Sequence, residues 1–117
     1  MAQAPLQLAI DQRFDAQDQL VVRVRGELDL SNVEELAKTI DQAEHSGVKQ
    51  VVVDLMECEF IDSAGLAVIL RGAKRLDEGG GRLSVACGHP EIRRLFALTA
   101  IDQTVAVLDS VPERPPA

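Results

Sequence analysis

A chain of 117 residues, 46% apolar and 26% charged, is sized for one domain with a single core and needs no staple to hold it. A formal net charge of −7 lacks the basic footprint that nucleic acid or an anionic membrane surface requires. The core must be aliphatic, with three Phe and no Trp or Tyr, and no segment reads as a signal peptide or as the ~20-residue apolar run of a membrane helix, so a soluble cytoplasmic domain is expected.

Leu6, Leu8 and Ile10 alternate with Gln7, Ala9 and Asp11, which predicts a strand with one wet face. Asp15-Ala16-Gln17-Asp18 is a polar turn. Leu20, Val22 and Val24 then alternate with Val21, Arg23 and Arg25, so the two strands pair as a hairpin. Gly26 marks a bend at the second strand's end. Ser31-Asn32-Val33-Glu34 has the S-x-x-E form of a capping box. The helix after it puts Val33, Leu36, Ala37, Ile40 and Ala43 on one face, and Gly47 closes it as a C-cap.

Val51-Val52-Val53 is a continuous apolar run, as in a strand covered on both faces. A polar loop is expected over Met56 to Glu59, and Phe60-Ile61-Asp62-Ser63 leads into a helix. Leu66, Ile69, Leu70, Ala73 and Leu76 form its apolar stripe. Gly79-Gly80-Gly81 ends it. A strand over Leu83 to Cys87, a helix opening at His89-Pro90-Glu91 with Ile92, Leu95 and Phe96 inward, and a strand over Thr104 to Leu108 complete the pattern. Pro112, Pro115 and Pro116 make a tail, expected to be disordered from about Val111. The expectation is a single α/β domain over 1–117, with an ordered core at about 6–110 and a tail at 111–117. Its element order is β-β-α-β-α-β-α-β, a mixed sheet of about five strands with helices mainly on one face.

Chemistry concentrates where the central strand meets its helix. The first turn of a helix offers unpaired N–H groups and a partial positive charge, and can hold an anion, including a phosphate. Asp62 suits the N-cap, and Ser63 then takes the first helical position with its hydroxyl outward. Ala64 and Gly65 leave little side chain around it, so a partner surface could approach closely.

The run Phe60-Ile61-Asp62-Ser63-Ala64-Gly65-Leu66, preceded by Val52-Val53-Asp54-Leu55, resembles the signature of bacterial anti-sigma factor antagonists of the STAS domain family. Gly26-Glu27-Leu28-Asp29 is a second match, and the resemblance covers roughly 6–110. It implies a cytoplasmic regulator, not an enzyme. Such a protein binds an ATP-using serine-kinase anti-sigma factor, releases a sigma factor, and is switched off by phosphorylation at Ser63 and reset by a serine phosphatase. It implies a monomer or weak dimer. By the same resemblance Asp62 is recognised by the kinase as well as capping the helix, and Asp29 is either the acidic residue near the phosphosite or a plain loop carboxylate. Ala64, Ala67, Val68 and Arg71, off the expected core stripe, are read as a docking face for the partner. Members of the family often carry a further C-terminal helix, for which little sequence follows Asp109. The alternative is a STAS regulatory or scaffold subunit of another assembly, such as a lipid-transport ATPase or a signalling complex.

Other chemistries lack their patterns. Cys58 and Cys87, and His45 and His89, have no metal or redox spacing, so no metal and no cofactor are expected. The three glycines follow a helix and lack the G-x-x-x-x-G-K-[ST] form of a phosphate loop. Ile61-Asp62-Ser63-Ala64-Gly65 lacks the first glycine of a hydrolase elbow.

Overall fold

The computed structural model describes residues 8–15 and 18–112. Five strands and three helices alternate: β1 (Leu8–Phe14), β2 (Leu20–Leu28), α1 (Val33–His45), β3 (Gln50–Ile61), α2 (Ser63–Glu78), β4 (Arg82–Ala86), α3 (Pro90–Leu98) and β5 (Ala106–Leu108), with a short 3-10 turn at Ile101–Gln103. The sheet order is β1-β2-β3-β4-β5. β1 runs antiparallel to β2, with Phe14 opposite Leu20, and all later pairs are parallel. The α/β order and the mixed sheet are those expected. Leu6, the turn residues Ala16 and Gln17, and positions 113–117 lie outside the described residues.

Alternation decides which side of the sheet the helices cover. Leu20, Val22 and Val24 of β2, Val51, Val53 and Leu55 of β3, and Leu83 and Val85 of β4 share one continuous core with Leu36 and Ile40 of α1, Ile69 and Leu76 of α2, and Ile92 and Phe96 of α3. The opposite face is drier than its arginines suggest. Val21, Val52 and Ser84 sit in register across it, and with Ala86 two residues further along β4 they are all buried. The chain returns there after β5: the buried Gln19 donates to the Pro112 carbonyl at 3.2 Å. Val111 and Pro112 are half-buried. The bonding partner of Pro112 lies almost the whole chain away, which local composition cannot register.

Three local expectations change. The capping box does not form. Asn32 is the N-cap of α1 without a side-chain cap bond, and the Ser31 hydroxyl donates to Asp29 instead. The last strand begins at Ala106, because Ile101–Gln103 coil into the 3-10 turn that delivers the buried Val105. The polar loop expected at Met56 to Glu59 is part of strand β3. Gly47, at φ +80°, ends α1 as expected.

Candidate functional site

β3 outruns its neighbour. Asp54 pairs with Ala86, the last residue of β4, but β3 continues along β2 as far as Ile61 opposite Leu28. The second half of β3 therefore projects past β4 together with the end of β2, which β1 flanks as far as Leu8 opposite Gly26. Two register shifts, at Arg23/Arg25 and at Gly26/Glu27 where Gly26 has φ +97°, bulge the pair. Leu55, Cys58 and Ile61 point inward, and Met56, Glu57, Glu59 and Phe60 are exposed. A burial spacing of three hides a strand from a search for period two, which is why this segment reads as a loop.

Asp62 turns the projection into α2. Its backbone is extended, and its Oδ1 accepts the Gly65 N–H at 3.0 Å, the N-cap bond expected of it. Its Oδ2 accepts the Leu30 N–H, also at 3.0 Å. Its own N–H donates to the Leu28 carbonyl at 3.2 Å. One carboxylate thus joins the α2 N-terminus to the β2–α1 loop, a link between residues 32 positions apart. Ser63 follows as the first residue of α2 and is exposed.

The β2–α1 loop is braced by its own side chains. Asp29 accepts the Ser31 N–H at 2.9 Å, and Asn32 Oδ1 accepts the Asp29 N–H at 2.9 Å. Asn32 Nδ2 donates to the Glu27 carbonyl at 2.8 Å. Asp29 is half-buried and lies one residue before the contact with Asp62, so the fold brings the two acidic residues and Ser63 to one end of the molecule.

The expected docking face on α2 is only partly available. Arg71 is exposed, and Ala64 and Ala67 are half-buried. Val68 is buried at 6%, which corrects its assignment as a surface residue. α1 lies against this side of α2, where Val68, Gly72, Ala37 and Ile40 line one cleft, and Arg75 donates to Asp41 at 2.6 Å and forms an ion pair with Glu44 at 3.0 Å. The apolar stripe is therefore wider than the sequence stripe, because α2 packs on the sheet and on α1 together. Gly65 is also buried. A Cβ there would stand 2.7 Å from Ile61 Cγ1 and 3.0 Å from Leu28 Cδ2, so its missing side chain admits the projection beneath it and not a partner above it.

Two exposed apolar residues at this end carry no obvious sequence signal. Leu30 is 77% exposed and Phe60 is 48% exposed. Leu30 stands between Asp29 and Ser31, and Phe60 between Glu59 and the buried Ile61; lone exposed apolar residues are ordinarily unremarkable until the fold places them at the end that carries a candidate site.

Cys58 and Cys87 are both free thiols in buried positions. Burial pushes both upward from the ordinary thiol value, with backbone hydrogen bonds at Phe60 and His89 opposing in part. Among the described residues no group of three or more His, Cys, Asp or Glu could hold a metal ion, and no helix is long and apolar enough to cross a membrane.

The family model described as "Mlab, STAS domain" matches residues 12–109. The anti-sigma F factor antagonist of Paenibacillus polymyxa is 29% identical over 92 residues, covering 78% of this chain and 79% of that protein. A crystal structure of an anti-sigma factor antagonist from Mycobacterium paratuberculosis superposes with a TM-score of 0.83 at 25% identity, over 94% of this chain and 92% of that one. SpoIIAA, an anti-sigma factor antagonist from Bacillus, shares the fold in its unphosphorylated form, with a TM-score of 0.72, 24% identity and coverage of 88% and 90%. Its phosphorylated form gives 0.69, 23%, 85% and 90%.

Proposed function

The chain belongs to the STAS domain family, and on that premise we propose that it is an anti-sigma factor antagonist of the bacterial cytoplasm, switched by phosphorylation at Ser63. The unmodified protein binds a serine-kinase anti-sigma factor and so releases a sigma factor. The kinase, using ATP, then phosphorylates Ser63 and ends the interaction, and a serine phosphatase restores it. Asp29, Asp62, Ser63, Ala64, Ala67 and Arg71 contribute to the contact.

The observation that carries this reading is the exposed Ser63 at the first position of a capped helix. A phosphoserine adds about −1.5 to −2 of charge at pH 7. The helix N-terminus offsets it by at most ~1–2 kcal/mol, and the carboxylates of Asp62, Asp29, Glu57 and Glu59 oppose it, so the phosphate is tolerated while facing solvent. Burying a poorly paired anion against a partner costs several kcal/mol, and each ~1.4 kcal/mol is tenfold in affinity. The switch therefore works at the interface and leaves the fold in place. That a fold relative is known in both unphosphorylated and phosphorylated forms supports this division of labour.

The test combines the purified protein with its anti-sigma factor and ATP and maps the phosphate. Label on Ser63 is expected, and label on Thr39 or Ser84 alone refutes the assignment. Ser63→Glu is expected to bind the anti-sigma factor at least about a hundredfold more weakly than Ser63→Ala. A second reading, a STAS scaffold subunit of another assembly, draws on the matching family model, whose description is not restricted to anti-sigma regulation. Recovery of a transport or scaffold complex on tagged protein, with Ser63 unmodified, would favour it.

A further inference from the structure

We propose that Leu30 is an apolar anchor of the docking surface beside Ser63, and that Asp62 is the residue that positions it. The inference rests on the reading of this end of the molecule as an anti-sigma factor interface. The flanking apolar residues Leu28 and Val33 are 0% and 7% exposed, whereas Leu30 between them is 77% exposed. Leu30 adds nothing to the core, yet its backbone is held from three directions. Asp62 Oδ2 takes its N–H, Asp29 and Ser31 on either side bond each other, and Asn32 closes the loop back onto Glu27. A leucine fixed in advance outside the core loses little further backbone freedom when a partner covers it.

The surroundings specify the occupant. Phe60, 48% exposed, lies on the strand that leads directly to Asp62, and Glu27 pairs with it across the projection. Glu27 and Glu59 are exposed, and Asp29 and Asp62 are half-buried. The complement is a surface of the anti-sigma factor with an apolar pocket rimmed by Lys or Arg. Asp62 serves it through geometry. With one oxygen on Gly65 N–H and the other on Leu30 N–H, it holds the leucine and the serine in one frame, so a phosphate on Ser63 enters at the edge of the covered patch.

The experiment measures affinity of the full chain for its anti-sigma factor, with Leu30→Ala, Asp62→Asn, their combination, and Leu98→Ala as a control. Leu98 is 70% exposed but lies at the end of α3. Leu30→Ala is expected to weaken binding roughly ten- to a hundredfold, the worth of burying one leucine. Leu98→Ala stays within about twofold. Asp62→Asn keeps a carbonyl for Gly65 but turns an N–H toward Leu30, so it weakens binding in the wild-type background and has a clearly smaller effect once Leu30 is alanine, what remains being its own contact with the partner. Equal effects of Leu30→Ala and Leu98→Ala overturn the proposal, as do losses from Leu30→Ala and Asp62→Asn that add in full. If the unmodified wild type binds no anti-sigma factor, the interface reading falls and this proposal falls with it. If it binds and Leu30→Ala binds as well, only this proposal falls.

Discussion

Asp62 and Ser63 are neighbours with opposite obligations. Asp62 spends both carboxylate oxygens on backbone N–H groups, and Ser63 stays exposed. Replacing Asp62 with alanine should cost about 1–2 kcal/mol in chemical denaturation, since an N-cap bond is lost and the Leu30 N–H returns to water. The two thiols behave oppositely to Ser63. Burial favours their neutral form, so the folded chain binds those protons more tightly than the unfolded chain. The unfolded thiols ionise first, near 9.0, and unfolding is favoured from there upward. Denaturation curves should therefore show stability steady below that value and falling above it, with a shallower fall in a Cys58→Ala, Cys87→Ala double variant.

At the scale of elements, packing distances separate two glycines that the sequence presents alike. The turn after α2 shows the contrast. A Cβ on Gly81 would stand 2.5 Å from the Lys49 carbonyl, a backbone atom that already accepts the Arg82 N–H at 2.7 Å. A Cβ on Gly79 would find nothing closer than 3.6 Å. Gly81→Ala is expected to destabilise by about 1–3 kcal/mol, as overpacking does, while Gly79→Ala is neutral or stabilising by up to about 1 kcal/mol. Comparable midpoints for the two variants in urea would contradict this. The same logic explains α2. Its stripe at Leu66, Ile69, Ala73 and Leu76 was readable from spacing alone, whereas Val68 joins the core only because α1 lies alongside.

For the whole molecule, the site stands where β2 and β3 run past the end of β4. Charge added there meets solvent and a helix N-terminus, not the core. Phosphorylation takes the formal charge from −7 toward about −9. We expect the melting temperature of the phosphorylated protein to stay within about 5 °C of the unmodified one, equivalent to roughly 1 kcal/mol for a domain of this size. A larger drop, measured by scanning calorimetry, would mean that the switch acts through the fold.

The amino-acid order alone determined the alternation of strands and helices, the hairpin, the α2 stripe and the Asp62–Ser63 helix start, because each is written in neighbours two to four residues apart. What only the tertiary structure decided lies between distant segments. The bulged pairing of β2 with β3 turns an apparent loop into strand, α1 hides Val68, and Gly65 receives Leu28 and Ile61. Asp62 reaches across to Leu30, and Gln19 reaches across to Pro112. Such contacts depend on how elements meet in space, and no local periodicity encodes that.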